Sequence, residues 1–340
     1  TWELVEELRL GTREGGGADG FGRLKGLAVT RDGRIAVFDD TPQEVRVFGP
    51  EGAHLATFGG KGRGPGEFLL GFGLMIDDED VLWVPDWSNA RMTTLDPDTG
   101  LLETYPFTML LMGFVWTGVM TEDGLIHKPS VTREEPRRRV MRVYDRRMVQ
   151  TDSFFLPEWP ASDRGPPPAA FYWEAQDGSR SGYQPIPFYP QDIEVGDRSG
   201  ARWSRAMGDP SYRIKRWLPG GDTTLVIETL RPPVPVPAAA RDSAIDAVRE
   251  RLRERGGANQ DWSRVPEVWP AVQQIFPTRE GGVWVQTASP DSLRGYDVYD
   301  ETGAYSGTVS TSLNVFAWVP PTIRGDRIWA VVTDDLDVPY

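Results

Sequence analysis

Apolar and polar residues alternate along this chain in short stretches, and apolar positions seldom recur at helical spacing. That pattern predicts many short strands joined by tight turns. One arrangement recurs, a polar turn followed by an apolar strand. It reads DGRIAVFD (32–39), EDVLWVPD (79–86), DGLIHKPS (123–130), SGARWSRA (199–206), GGVWVQT (281–287) and DRIWAVV (326–332). A column through these strands holds Ala36, Trp83, His127, Trp203, Trp284 and Trp329, with gaps of 47, 44, 76, 81 and 45 residues. Three gaps agree near 45, and each of the two long ones contains an insertion. A second apolar strand follows in the first five units: VRVF (45–48), MTTL (92–95), MRVY (141–144), YRIKRW (212–217) and YDVY (296–299). A period near 45 with about four strands predicts an all-β fold, a six-bladed β-propeller spanning 1–340. A single blade cannot bury both faces, so neighbours must cover one another, and large flat side chains suit that contact.

The stretch FGGKGRGPGEF (58–68) contains glycines and bases in the manner of a phosphate loop. Gly60-Lys61 is followed by Gly62, however, so the hydroxyl that a P-loop needs for magnesium is missing. LGTREGGGADGF (10–21) has the same make-up, and Phe21 and Phe68 precede Leu27 and Leu74 by the same interval. The stretch therefore reads as a repeated connector between the outer strand of one blade and the inner strand of the next. LRLG (8–11) occupies the place that ATFG (56–59) holds, which predicts an N-terminal strand that closes the last blade.

FGGKGRGPGEF, the strand GFGLMIDD (71–78) and the segment VPDWSNAR (84–91) together resemble NHL-type six-bladed propellers. The resemblance implies an architecture more than an activity. Members of that family bind proteins, RNA or small ligands, and only some relatives are enzymes.

The first insertion, about 155–190, is rich in proline and aromatics: Trp159, Phe171, Tyr172, Trp173, Tyr183, Phe188 and Tyr189. Such side chains either cap their own blades or anchor a partner. The second, about 231–270, starts with the extended spacer RPPVPVP (231–237). A helix follows over 238–257, with Ala244, Ile245, Val248 and Leu252 on one face and Gly256 as its stop. The apolar face is expected to pack on a blade. The other face carries Arg241, Arg249, Arg251, Arg253 and Arg255.

A net charge of −13 argues against nucleic acid as a partner. No apolar run is long enough to span a bilayer. Cysteine is absent, which excludes disulfides and thiol chemistry. The start at Thr1, with neither Met nor an apolar leader, points to an extracytoplasmic chain whose signal segment has been removed.

Candidate chemistry is sparse. His127 stands in the packing column and His54 in an outer strand, so no three-histidine metal site can form. Calcium-dependent lactonase propellers gather Glu, Asp and Asn oxygens at the channel mouth. Asn89, Asn259 and Asn314 are the only asparagines, and the pairs Asp39-Asp40, Asp77-Asp78 and Asp334-Asp335 fall at turns or strand ends, where solvation is the default. No catalytic or metal-binding residue and no cofactor is predicted, and Ca2+ enters only with the hydrolase alternative. The expectation is a non-enzymatic scaffold that binds a protein, for instance a membrane electron-transfer complex. Its binding residues are the seven insertion aromatics with Arg249 and Arg253.

Overall fold

The computed structural model describes residues 1–11, 17–108, 116–134, 137–157, 169–174, 181–255, 257, 259–289 and 294–333. Trp159, Gly256, Asp334 and Asp335 lie outside them. Strand β1 is Trp2–Glu3. The first sheet comprises β2 (Leu24–Val29), β3 (Ile35–Asp39), β4 (Glu44–Phe48) and β5 (His54–Gly59). The second has β6 (Met75–Ile76), β7 (Leu82–Asp86), β8 (Arg91–Asp96) and β9 (Gly100–Pro106). The third has β10 (Val119–Met120), β11 (Ile126–Val131), β12 (Arg139–Tyr144) and β13 (Gln150–Phe155). A hairpin, β14 (Ala170–Glu174) with β15 (Ser181–Pro185), precedes the fourth sheet. That sheet has β16 (Ile193–Gly196), β17 (Arg202–Arg205), β18 (Tyr212–Trp217) and β19 (Thr223–Thr229). Helix α1 (Ala238–Glu254) leads to the fifth: β20 (Val272–Pro277), β21 (Val283–Thr287), β22 (Arg294–Tyr299) and β23 (Tyr305–Thr311). Short strands β24 (Asn314–Val315), β25 (Thr322–Arg324), β26 (Arg327–Trp329) and β27 (Val332–Thr333) follow.

Each of the five sheets is antiparallel and ordered as in the sequence, from its first strand to its fourth. The first strands touch across sheets: β2 meets β6, β6 meets β10, and β16 meets β20. These strands therefore line the axis, and the fold is a β-propeller with one α-helix. Two expectations need correction. Among the described residues there are five four-stranded blades rather than six, because 314–333 forms only the pairs β24·β27 and β25·β26. That segment closes the ring. Val319 and Val331 pack on Leu24, Val37 and Phe48 of the first sheet, and Ile323 packs on Phe276, Trp284 and Tyr296 of the fifth.

The N-terminal strand is also elsewhere. Residues 8–11 form no strand; β1 pairs in parallel with β23, Trp2 opposite Val309, and adds a fifth strand to the outside of the fifth sheet. Leu10 instead packs beside Phe48 and the closing segment. The sequence match of LRLG to ATFG captured an apolar alternation, but which exposed sheet edge takes a strand is decided by non-local contacts.

The turn between first and second strand is the same in all five blades. Its first residue is Thr30, Asp77, Thr121, Asp197 or Thr278, and its backbone N–H donates to the carbonyl four residues on, at 2.9–3.1 Å. The side chain of that residue accepts from the N–H of the same later residue: Arg34, Val81, Leu125, Ala201 and Gly282. Short polar side chains favour such turns because they replace a backbone acceptor locally. In two blades the carboxylate also takes the indole N–H of the column tryptophan six residues later. Trp83 reaches Asp77 at 3.1 Å and Trp203 reaches Asp197 at 3.2 Å. The column side chain is thereby fixed between blades, where Trp203 is wholly buried.

Connector 60–74 is held by the motif that follows it. Asp86 accepts from the N–H groups of Leu69 and Leu70, both at 3.1 Å. Asn89 donates to the Gly62 carbonyl at 3.0 Å, and Arg91 donates to the Gly64 carbonyl at 2.8 Å. Gly59 and Gly60 take φ of 104° and 119°, a region that L side chains rarely enter, so the exit from β5 requires glycine. Phe68 then inserts, fully buried, edge-on against Phe38 at 5.7 Å.

His127 takes the column position in the third blade. It lies half-buried against Phe154 and against Gly200 of the next blade, where any Cβ would approach its ring to 2.9 Å. Burial, with the Arg202 charge adding to it, lowers the His127 pKa. A lowered folded value favours neutral imidazole, so this contribution to stability is present above ~6.5 and is lost as pH falls below it. His127→Phe is expected to stay folded and to show a shallower loss of stability between pH 7 and pH 5. Thermal melts across that range check this; an unchanged slope would count against it.

Candidate functional site

The residue directly after the first turn position lies five places before the column residue in every unit. These residues are Arg31, Asp78, Glu122, Arg198, Arg279 and Arg324. Three of them meet across the axis. Asp78 of the second blade accepts from Arg198 of the fourth and, at 3.0 Å, from Arg279 of the fifth, both on Oδ1. Contacts that skip the third blade must cross the centre of the ring. Arg324 is held by two backbone carbonyls of the first blade, Thr30 and Val29, each at 3.0 Å. Arg31 pairs with Asp80 at 3.1 Å.

Two guanidiniums thus meet on the Asp78 carboxylate, and Arg324 lies near enough for its charge to act on Arg279. Burial and then the like charges of Arg198 and Arg324 lower the Arg279 pKa, against the opposing pull of Asp78 and Asp80. The mouth is positive on a chain whose net charge is −13. It is open to solvent through Asp78, whose side chain is 45% exposed. Read one residue at a time, Asp78 is a turn carboxylate; the cluster emerges only from the column five places before the tryptophans.

Other cations stand on the second strands of the third and fourth blades. Lys128 donates to Thr117 Oγ1 at 2.9 Å and lies 5.0 Å from the Trp116 ring centroid. Burial pulls its pKa down to about 8, and Arg202 adds to the shift. Arg202 is itself buried and pairs with Glu194 at 2.9 Å, while Arg139 holds the second oxygen of Glu194 at 2.7 Å. The pair is structural, since removing one partner of a buried ion pair leaves an uncompensated charge.

The two insertions pack against each other rather than on a blade. Ile245, Val248 and Leu252 of α1 share a core with Phe171 and Ile186, flanked by Trp173, Phe188, Tyr189 and Trp262. This corrects the expectation that the helix stripe meets a blade. Both insertions join an outer strand to the next inner strand, so they rise at the end of the ring opposite to the turns that carry Asp78. Phe171 is wholly buried, and its ring lies 4.9 Å from that of Trp262. Phe188 packs edge-on against Trp269 at 4.6 Å. Strand alternation turns Tyr172 and Tyr183 outward as a cross-strand pair, rings 5.8 Å apart, 36% and 54% exposed. Arg249 stacks over Trp262 at 4.9 Å and donates to Asp246, and Arg253 donates to Glu250 on the exposed face. A groove of about 540 Å³ along the helix is lined by Arg241, Ile245, Asp246, Arg249 and Trp262.

Among the described residues no three His, Asp or Glu side chains gather in a way that could hold a metal ion. No helix there is long and apolar enough to cross a membrane.

No family model matches the sequence, and no curated protein matches it. Among solved structures, a Bacteroides fragilis NCTC 9343 protein named as exported is 14% identical, covering 98% of this chain and 88% of its own at a TM-score of 0.47. Virginiamycin B lyase from Staphylococcus aureus is 12% identical, with 90% of each chain covered and a TM-score of 0.41. YCF48 from Cyanidioschyzon merolae is 10% identical over 91% of this chain and 79% of its own, with a TM-score of 0.42. Likeness of this degree adds no argument to what the strands themselves show.

The Lys128 pKa of about 8 lies below the ~10.4 of a solvated lysine, so the charged form is disfavoured in the fold. The resulting penalty is full below pH 8 and fades as pH rises towards ~10.4. Lys128→Met is expected to raise stability at pH 7 by ~1–3 kcal/mol and by less at pH 10. Denaturant melts at the two pH values test the sign, and a larger gain at pH 10 contradicts it.

Proposed function

We propose that this chain is a non-enzymatic interaction propeller whose insertion module presents the surface for a protein partner. The observation that carries the reading is the outward Tyr172–Tyr183 pair. Both rings stand on a hairpin that belongs to no blade, while their strand neighbours Phe171 and Trp173 turn inward on the helix. Tyrosine anchors a contact at low entropic cost and keeps a polar tip, which is why it is enriched in interface hot spots. The groove beside Arg249 extends the same surface with charge of both signs.

The partner in this reading is a membrane-protein complex, met on its extracytoplasmic face, to which the propeller attaches as an accessory subunit. Its support is the resemblance of the sequence to NHL-type propellers, members of which bind proteins. The NHL-like description belongs to the same proposal. It is supported by the way Asp86, Asn89 and Arg91 hold the connector.

Deleting one insertion would strip the apolar face of the other, so the test uses surface substitutions. Tyr172→Ser with Tyr183→Ser should leave circular dichroism and melting unchanged. Release from native membranes or from a co-purified complex should rise at least tenfold, about 1.4 kcal/mol of lost affinity. Full retention by the double variant removes the module from the interface.

A further inference from the structure

We infer that the positive mouth of the axis binds a small dianion of the phosphate class, seated between Arg198 and Arg279. Four observations carry this beyond the docking role proposed for the opposite end. First, the two guanidiniums converge on one oxygen of Asp78, so the carboxylate occupies the place an anionic ligand oxygen would take. Each guanidinium has five N–H donors, and a single bond to Asp78 leaves most of the fork for further oxygens. Second, the cluster is built by the fold. Its members come from the same turn position of different blades, and the turns are locked by their own hydrogen bonds.

Third, the site has surplus positive charge. Arg324 is pinned by carbonyls rather than by a carboxylate, and its charge is felt at Arg279. Fourth, it can be reached, because the side chains of Arg198, Arg279 and Asp78 keep 17%, 21% and 45% of their surface exposed. A planar fork on either side of a tetrahedral anion is the geometry that favours arginine over lysine for phosphate. Free phosphate and a phosphate monoester share this head group.

Calorimetric titration at low salt with inorganic phosphate and with phenyl phosphate tests the inference. Both should bind the wild-type chain at pH 8, and more weakly at pH 5, where a phosphate whose second pKa is ~6 carries one charge. Equal affinities assign the site to the free anion, and a tighter phenyl ester assigns it to a phosphorylated organic molecule. Asp78→Asn removes the internal competitor and should tighten binding about fivefold or more, whereas Arg279→Gln and Arg198→Gln should each weaken it at least tenfold. Thermal melts confirm that each variant is folded, and the wild-type titration stands without them. Absence of binding to both the wild type and Asp78→Asn at 10-fold the concentration that saturates ordinary arginine–phosphate sites, on the order of 10 mM, would falsify the proposal. So would affinities indifferent to both arginine substitutions.

Discussion

The turn between the first and second strands of each blade is the constraint on which this structure rests. A Thr or Asp side chain and its backbone close the same five-residue loop in every blade. Once closed, the loop fixes the phase of everything after it. The residue six places before the column holds the turn, the next one faces the axis, and the column residue enters the seam between blades. Packing and axial charge are therefore two readings of one register. A slip by one position would exchange them, since strand side chains alternate between faces.

This register explains how much the sequence disclosed. The tryptophan column was visible because a bulky residue at a recurring place after the turn stands out, and three of its four tryptophans are buried as expected. Arg198, Arg279 and Asp78 were in the same alignment, five places earlier, but mixed signs hide a column that uniform size reveals. The contact between two turns 120 residues apart depends on closure of the ring, which no local pattern encodes. The helix stripe Ile245, Val248 and Leu252 was legible as apolar, yet an apolar stripe does not name its partner. Only the folded chain shows that the partner is Phe171, from the other insertion. The blade number was misjudged for a similar reason: DRIWAVV repeats the turn-and-strand pattern, whereas 314–333 pairs only in twos.

Charge is distributed by distance from solvent rather than by sign alone. The chain is acidic overall, and part of its aspartate complement is buried at the turns and strand ends. Where cations leave solvent they are held in specific ways: Arg202 by Glu194, Lys128 by a hydroxyl and an aromatic face. At the axial mouth Arg198 and Arg279, from two different blades, share the carboxylate of Asp78. Electrostatic contributions there are strengthened by the low-dielectric walls of the blades, and salt screens them less than it screens surface pairs.

The shared core of the two insertions has a consequence for how the molecule opens. Hairpin and helix are separated by one blade-length stretch of chain, yet neither can leave the other without exposing Phe171, Ile245, Val248 and Leu252 to water. They form one cooperative unit, distinct from the seams that bind blade to blade. Amide protons in β14, β15 and α1 should then exchange together, at a free energy below that of the propeller. A partner gripping either element rigidifies both, and so links the connection between the third and fourth blades to that between the fourth and fifth.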